Sequence, residues 1–208
     1  YVLTGGNYST ECIREPEEWG AYPGIDQTLI NHIHSKFGVS PLKTFPIIDV
    51  FVSKIYYKYI LGMQIFKPLD LIPYIKYDAE IELKEKFGWE KFQHKHHESR
   101  FTRFFEDYWL PRKFGFDRRR AHFSSLILTG QLSRKVALER IKNPELDDHT
   151  LECEFEYIAH KLDLNVDKLK TIFNSVNKSS DNYKSKRKFV DFSAKIMTLI
   201  GLEKRLYK

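Results

Sequence analysis

Tyr1-Val2-Leu3-Thr4-Gly5-Gly6-Asn7 opens the chain with a short β-type run that ends in two glycines. The run favours extended backbone, and a Gly-Gly pair interrupts it. A strand needs neighbours to pair with, yet the sequence that follows has mostly helical periodicity. Asp26 can cap a segment that places Leu29, Ile30, Ile33 and Phe37 on one face, with Pro23-Gly24 as the turn before it and Gly38 as the stop after it. Residues 45–66 are apolar nearly all round, with Asp49, Ser53, Lys54 and Lys58 as a narrow polar stripe. That pattern predicts a buried helix or a subunit contact, with a helix on a membrane surface as the alternative. Further helices are predicted over 78–87 before Gly88, 117–129 before Gly130, 133–142 before Pro144, 147–162 and 167–174. A lone opening strand joined to many helices predicts an α/β fold whose earlier strands lie upstream of Tyr1.

The composition supports a folded protein, since 208 residues with 42% hydrophobic and 15% aromatic content can bury a core. Cys12 and Cys153 stand far apart without a CxxC partner, so neither a zinc site nor a disulfide framework is expected, and a reducing cytoplasm fits. No run of eighteen uncharged apolar residues is present, which predicts no transmembrane segment. The net charge of +6 resides in residues 178–208, where nine Lys or Arg face three Asp or Glu, leaving residues 1–177 neutral. Phe189, Phe192, Ile196, Leu199 and Ile200 recur there at helical spacing behind a polar 177–188 linker. An amphipathic helix with a solvated basic face is the expectation, and nucleic acid is not the expected partner.

Chemistry concentrates in two places. At the end of the opening strand, Gly5 and Gly6 leave room for a ligand to approach the main chain, where free N–H groups can bind phosphate. An ordinary turn explains the pair as well. Asn7 belongs to the same loop, and Glu11 can hold a magnesium ion or a ribose hydroxyl, or simply cap a helix. The second place is His96-His97-Glu98-Ser99-Arg100-Phe101-Thr102-Arg103-Phe104-Phe105, followed by Asp117-Arg118-Arg119-Arg120-Ala121-His122-Phe123-Ser124-Ser125. Three arginines in the first turn of a helix oppose its dipole and call for a compensating anion. A di- or triphosphate would supply one, and so would Glu98, Glu106 or Asp107 from the protein itself. His94, His96 and His97 match no zinc spacing, and no metal centre made of protein side chains alone is expected.

Four of these motifs occur in register. Thr4-Gly5-Gly6-Asn7 through Glu11, Lys43-Thr44-Phe45-Pro46, His97 to Phe105, and Arg120 to Ile127 with Thr129-Gly130-Gln131 resemble the N-acetyl sugar amidotransferase family. Phe66-Lys67-Pro68-Leu69 is similar to a Pro-Leu segment of PP-loop ATP pyrophosphatases. The resemblance implies the C-terminal part of a PP-loop α/β domain, mainly helical here. It implies the end of the nucleotide-binding domain over 1–75, a helical substrate- and phosphate-binding region over 76–176, and a basic linker with a C-terminal helix over 177–208. The implied reaction uses ATP and Mg2+ to adenylylate the acetamido oxygen of a nucleotide-activated N-acetyl sugar, after which ammonia displaces AMP to leave an acetamidino group. The product serves surface polysaccharide, including lipopolysaccharide O-antigen, or flagellar glycan. Ammonia would come from a glutaminase and a synthase-like partner, since neither Cys12 nor Cys153 stands in a glutaminase-like setting.

Residue by residue, the resemblance implies Gly5, Gly6, Asn7, Glu11 and Arg120 on the nucleotide and phosphate side. It implies His97, Glu98 and Arg100 as catalytic, and Arg103, His122 and Ser124 as substrate-binding. A Ser-Gly-Gly-x-Asp-Ser phosphate loop and a cysteine-rich segment belong to the family's front half and are not found in this sequence, so this chain by itself is expected to be inactive. A tRNA-modifying PP-loop enzyme and a non-catalytic helical module that binds a partner are the other readings.

Overall fold

The computed structural model describes residues 1–13, 15–16, 19, 26–90, 99–199 and 201. It is mostly helical, with one small sheet of two parallel strands, β1 (Val2–Leu3) and β2 (Ile65–Phe66). The chain divides into two compact units, one formed by 1–19 with 65–177 and the other by 20–64 with 178–208.

In the first unit, the opening strand forms as its residues predict, in register Val2 with Ile65 and Leu3 with Phe66. Thr4 N extends the ladder by donating to Phe66 O at 3.0 Å. Asn7 then caps the short α1 (Tyr8–Glu11), its Oδ1 accepting from Thr10 N at 2.9 Å. Tyr8 N donates to Asp70 Oδ1 at 2.6 Å and so ties this loop to the 3-10 turn Pro68–Leu71 that follows β2. Helix α3 (Lys76–Phe87) ends at Gly88 in the left-handed region, as expected of that glycine.

The element that the periodicity did not announce is α4 (Arg100–Phe104), capped by Ser99, which runs directly into a π-helical segment, Phe105–Phe114. Pro111 inside it has no N–H to donate, and the wider winding accommodates that missing donor before Gly115, at φ +76, ends the segment. This element carries much of the core. Phe104 packs edge-on against Phe155 at 5.0 Å between ring centres, and Trp109 meets Phe173 likewise at 5.0 Å. Ile158, Ala159 and Leu169 complete the cluster from α7 (Asp148–Lys161) and α8 (Val166–Asn174). Truncating a fully buried ring such as Phe104 would cost ~3–5 kcal/mol. A second cluster joins Phe123 and Leu126 of α5 (Arg119–Leu128) to Ala137 of α6 (Arg134–Lys142). The helices predicted from 133 and 147 are capped by Ser133 and Asp147, and α8 is capped by Asn165.

In the second unit, Asp26 is buried and caps α2 (Gln27–Phe37), accepting from Thr28 N at 2.8 Å and Leu29 N at 3.2 Å. Its other oxygen accepts from Lys186 N at 2.6 Å, which fastens the second stretch of this unit to the first. Lys186 Nζ also bonds Asp49 Oδ2 at 2.6 Å and holds that carboxyl below its ordinary range. Helix α9 (Arg187–Leu199) follows, as its spacing predicts.

The buried helix expected over 45–66 is corrected. Helical winding is confined to 50–60, with π winding over Val52–Ile60, and it stops before Gly62 at φ +61, while Phe66 belongs to β2. Nor is the segment buried: Phe45, Ile55, Tyr59, Ile60 and Leu61 are all more than half or about half exposed. Among the described residues, no helix is long and apolar enough to cross a membrane.

Candidate functional site

Helix α5 is the spine on which the candidate residues are arranged, and α1 runs along it in the opposite direction. Thr129 Oγ1 and Gln131 Nε2 both donate to Ser9 O, at 2.8 and 3.0 Å, at the C-terminal end of α5. One turn back, Ile13 N donates to the buried Ser125 Oγ at 3.0 Å, and Glu15 reaches Arg118 Nε at 2.7 Å near the N-terminus. Gln131 Oε1 also accepts from Lys76 N at 2.9 Å, so Thr129-Gly130-Gln131 clamps α1 and the start of α3 to α5. Gly5 and Gly6 therefore lie towards one end of α5 and Arg120 at the other, about 15 Å apart along a ten-residue helix. The candidate residues are therefore gathered at two loci along α5.

The first locus sits at the C-terminal ends of the two parallel strands. Because β1 and β2 are parallel, Gly5-Gly6 and Lys67 emerge on the same side of the sheet. A Cβ placed on Gly6 would lie 3.8 Å from Glu11 Oε2 and 4.0 Å from Lys67 Cε, so a carboxylate and an amine flank the turn. Neither glycine has positive φ, and a Cβ on Gly5 would meet nothing within 4 Å. The fold itself thus gives no reason for either glycine. Asn7 is committed to structure, capping α1 and donating from Nδ2 to Gly5 O at 3.3 Å. The sequence reading missed Lys67, whose signal is its place directly after a strand parallel to β1.

The second locus is an ionic network where α4, the π segment, α5 and α7 meet. Glu154 is 2% exposed and receives Arg100 Nε at 3.2 Å on each oxygen, and Arg103 Nη2 as well. The Arg100 guanidinium lies over the Tyr157 ring at 3.6 Å from its centre. With Nε on Glu154 and one face on Tyr157, the remaining edge of a side chain that is 45% exposed is presented outward. Such an anchored, planar fork suits an oxyanion. Glu154 was also missed, although it is the charged residue on the Leu151, Phe155, Ile158 face of α7.

Arg118 and Arg119 answer the question posed by three arginines at a helix start. Arg118 pairs with Glu15 and Glu106, and Arg119 pairs with Asp117 at 2.8 Å and Glu145 at 2.8 Å. Arg119 also donates to the carbonyls of Arg140, Ile141 and Asn143, fastening the end of α6. Its carboxylate partners hold its pKa well above the usual value. Protein carboxylates, not an external anion, balance these two. Arg120 is exposed and, unlike Arg118 and Arg119, has no ion pair among the described residues, and Ser124 lies one turn along the same face. His122 is half-buried beside Phe123.

Asp107 connects the two halves of this network. Burial pushes its carboxyl up to about 7, the nearby Glu145 and Glu106 add to the rise, and Arg119 and Arg103 oppose it. A carboxyl that exchanges its proton near neutral pH inside an arginine cluster is the feature expected of a functional site. His97 and Glu98 lie outside the described residues, as do His94 and His96. Among the described residues, no group of three or more His, Cys, Asp or Glu side chains is placed to hold a metal ion.

Against this geometry, residues 98–197 match the family model described as LPS biosynthesis protein WbpG-like, C-terminal domain. No curated protein and no solved structure matches the chain. The matched residues include α4, the π segment and α5 to α9, and so contain the whole Arg100, Asp107, Arg120 and Glu154 locus. Residues 98–197 of this chain are thus similar to the WbpG-like C-terminal domain of LPS biosynthesis proteins.

Proposed function

We propose that the chain is the C-terminal portion of an ATP-dependent amidotransferase that converts the acetamido group of a nucleotide-activated N-acetyl sugar into acetamidino for lipopolysaccharide synthesis. The observation that carries this reading is the exposed guanidinium edge of Arg100, fixed by the buried Glu154 and by Tyr157 within the LPS-biosynthesis domain. A sugar nucleotide offers the phosphate oxygens such a fork takes. Arg120 and Ser124 supply a second cation and a hydroxyl on one face of α5 for the same class of ligand.

The Gly5-Gly6 turn fits a triphosphate in donor chemistry, with bare main chain, the Lys67 amine and the Glu11 carboxylate beside it. Glycines that the fold does not require are what a ligand pressed against main chain would need. Bound ATP with magnesium supplies the activation of the amide oxygen, which otherwise leaves poorly. The residues of this chain then bind and orient: Lys67 neutralises phosphate charge, Glu11 holds the cation or a ribose hydroxyl, and Arg100 and Arg103 place the sugar nucleotide. Asp107 can take a proton from incoming nitrogen at neutral pH, since its carboxyl titrates near 7. Glu98 is the second carboxyl assigned to this chemistry, and His97 stands beside it. Glutaminase and synthase-like subunits would deliver the ammonia.

The test is amidotransfer by an enzyme that carries this chain together with its phosphate loop, given ATP, ammonium and a sugar nucleotide. Replacement of oxygen by NH in the sugar, with release of AMP, is expected. Arg100→Ala and Glu98→Gln should each lower kcat/KM at least tenfold with little change in melting temperature. Turnover without AMP formation, or equal loss of activity and stability in both variants, would refute the assignment.

A further inference from the structure

The second unit combines net positive charge with exposed apolar side chains. Residues 20–64 with 178–208 carry thirteen Lys or Arg against five Asp or Glu, a net +8, while the first unit is left at −2. Among the described residues of this unit, Val50 is the one buried hydrophobic side chain, and the other buried residue is Asp26. Its apolar side chains face outward instead. Phe51, Val52, Ile55, Tyr56 and Ile60 line an open groove of about 320 Å³. On α9, Phe189, Phe192, Ile196 and Leu199 fall on one face, and all four are exposed. The two faces adjoin, because the Phe51 and Phe189 rings meet edge-on at 5.2 Å.

Cations border this surface without being consumed by acids. Lys54 and Lys58 lie one turn apart on the π segment, and Lys188 and Lys195 lie on α9; none of the four has an ion pair among the described residues. Aromatic and aliphatic side chains flanked by free lysines, on two short helices, match an interfacial element that buries its apolar face at the headgroup boundary while the ammonium groups stay with anionic lipid. Charge complementarity therefore selects the occupant. We propose that this unit docks on an anionic membrane surface through the joint face of the Val52–Ile60 segment and α9. The proposal is independent of the amidotransferase reading, since no residue assigned to that chemistry lies in this unit.

The test is co-sedimentation of the 1–208 chain with phosphatidylcholine vesicles, with and without about 30% phosphatidylglycerol. Binding only to the anionic vesicles, weakened by salt, is expected. Lys54→Gln with Lys58→Gln should lower the partition coefficient roughly fivefold per cation removed. Ile55→Ser and Phe192→Ser, at exposed positions, should each lower it about tenfold with an unchanged circular dichroism spectrum. Failure to sediment with anionic vesicles would overturn the proposal. So would binding to poly(U) RNA and to vesicles alike with no effect of Ile55→Ser or Phe192→Ser, which would assign the charge to nucleic acid. A chain that is dimeric in solution, made monomeric by those two variants and indifferent to vesicles, would assign the face to a second copy.

Discussion

Replacing Asp107 by Asn should stabilise the protein at alkaline pH and leave it nearly unchanged in acid. The carboxyl rises from its ordinary 3.8 to about 7 on folding, chiefly through burial. At 1.36 kcal/mol per pH unit that rise is worth ~4 kcal/mol, and partial access of water halves it to ~2 kcal/mol. The sign follows from proton counting. Below about pH 4 the acid is neutral in both folded and unfolded chains, so it imposes no penalty. Between about pH 4 and 7 the unfolded chain gives up the proton that the folded one keeps, and stability falls as pH rises. Above about 7 the penalty is complete. Asparagine mimics the neutral acid at every pH and removes this slope. Urea unfolding followed by tryptophan fluorescence at about pH 3.5 and 8 measures it, with a gain of roughly 2 kcal/mol expected in the variant at the higher pH only. A difference between variant and parent that is the same at both pH values would refute the reasoning.

Glu154→Gln leaves the guanidiniums of Arg100 and Arg103 without their buried counter-charge, and a loss of ~3 kcal/mol in urea unfolding is expected, at the low end for a broken buried pair because Arg100 is half-exposed. Arg119→Ala unfastens Asp117, Glu145 and three carbonyls at once and should cost ~2–3 kcal/mol, whereas Arg120→Ala should cost less than ~0.5 kcal/mol while weakening sugar-nucleotide binding in calorimetry. Gly115→Ala forces a Cβ into left-handed backbone at φ +76 and should lower stability by ~1–2 kcal/mol, read as a shift in the urea midpoint without a change in slope.

Local signals were legible wherever one residue type has one physical use. The opening strand, the Asp26 cap, the helix starts at 133 and 147 and the Gly88 stop could all be read from the chain because each is decided by its immediate neighbours. The Arg100 to Phe105 motif was recognised as chemistry but not as a helix. Its apolar residues continue through a π segment with a proline, whose wider turn defeats a search for a 3.6-residue period. The 45–66 run misled for the opposite reason: a nearly all-apolar stretch suggests burial, but here it is cut by Gly62 and faces outward. At the site, the three arginines were visible and Glu106 was among the partners named for them, but Glu145 and Glu15 were not, because they are brought to the arginines by packing across the chain. Ion pairing of that kind is a property of tertiary contacts, which spacing along one sequence does not encode.

The sheet has a kinetic consequence. Val2 pairs with Ile65, and the whole first stretch of the second unit, 20–64, lies in the loop between them. Closing a free loop of about sixty residues costs roughly 1.6 kcal/mol more than closing one of ten, far too much for a two-residue strand pair to meet alone. If α2 and the Asp26 anchor form first, the loop is already drawn in and the strands can find one another. The Gly5-Gly6 turn and Lys67 are then brought side by side only when β1 and β2 pair, late in folding.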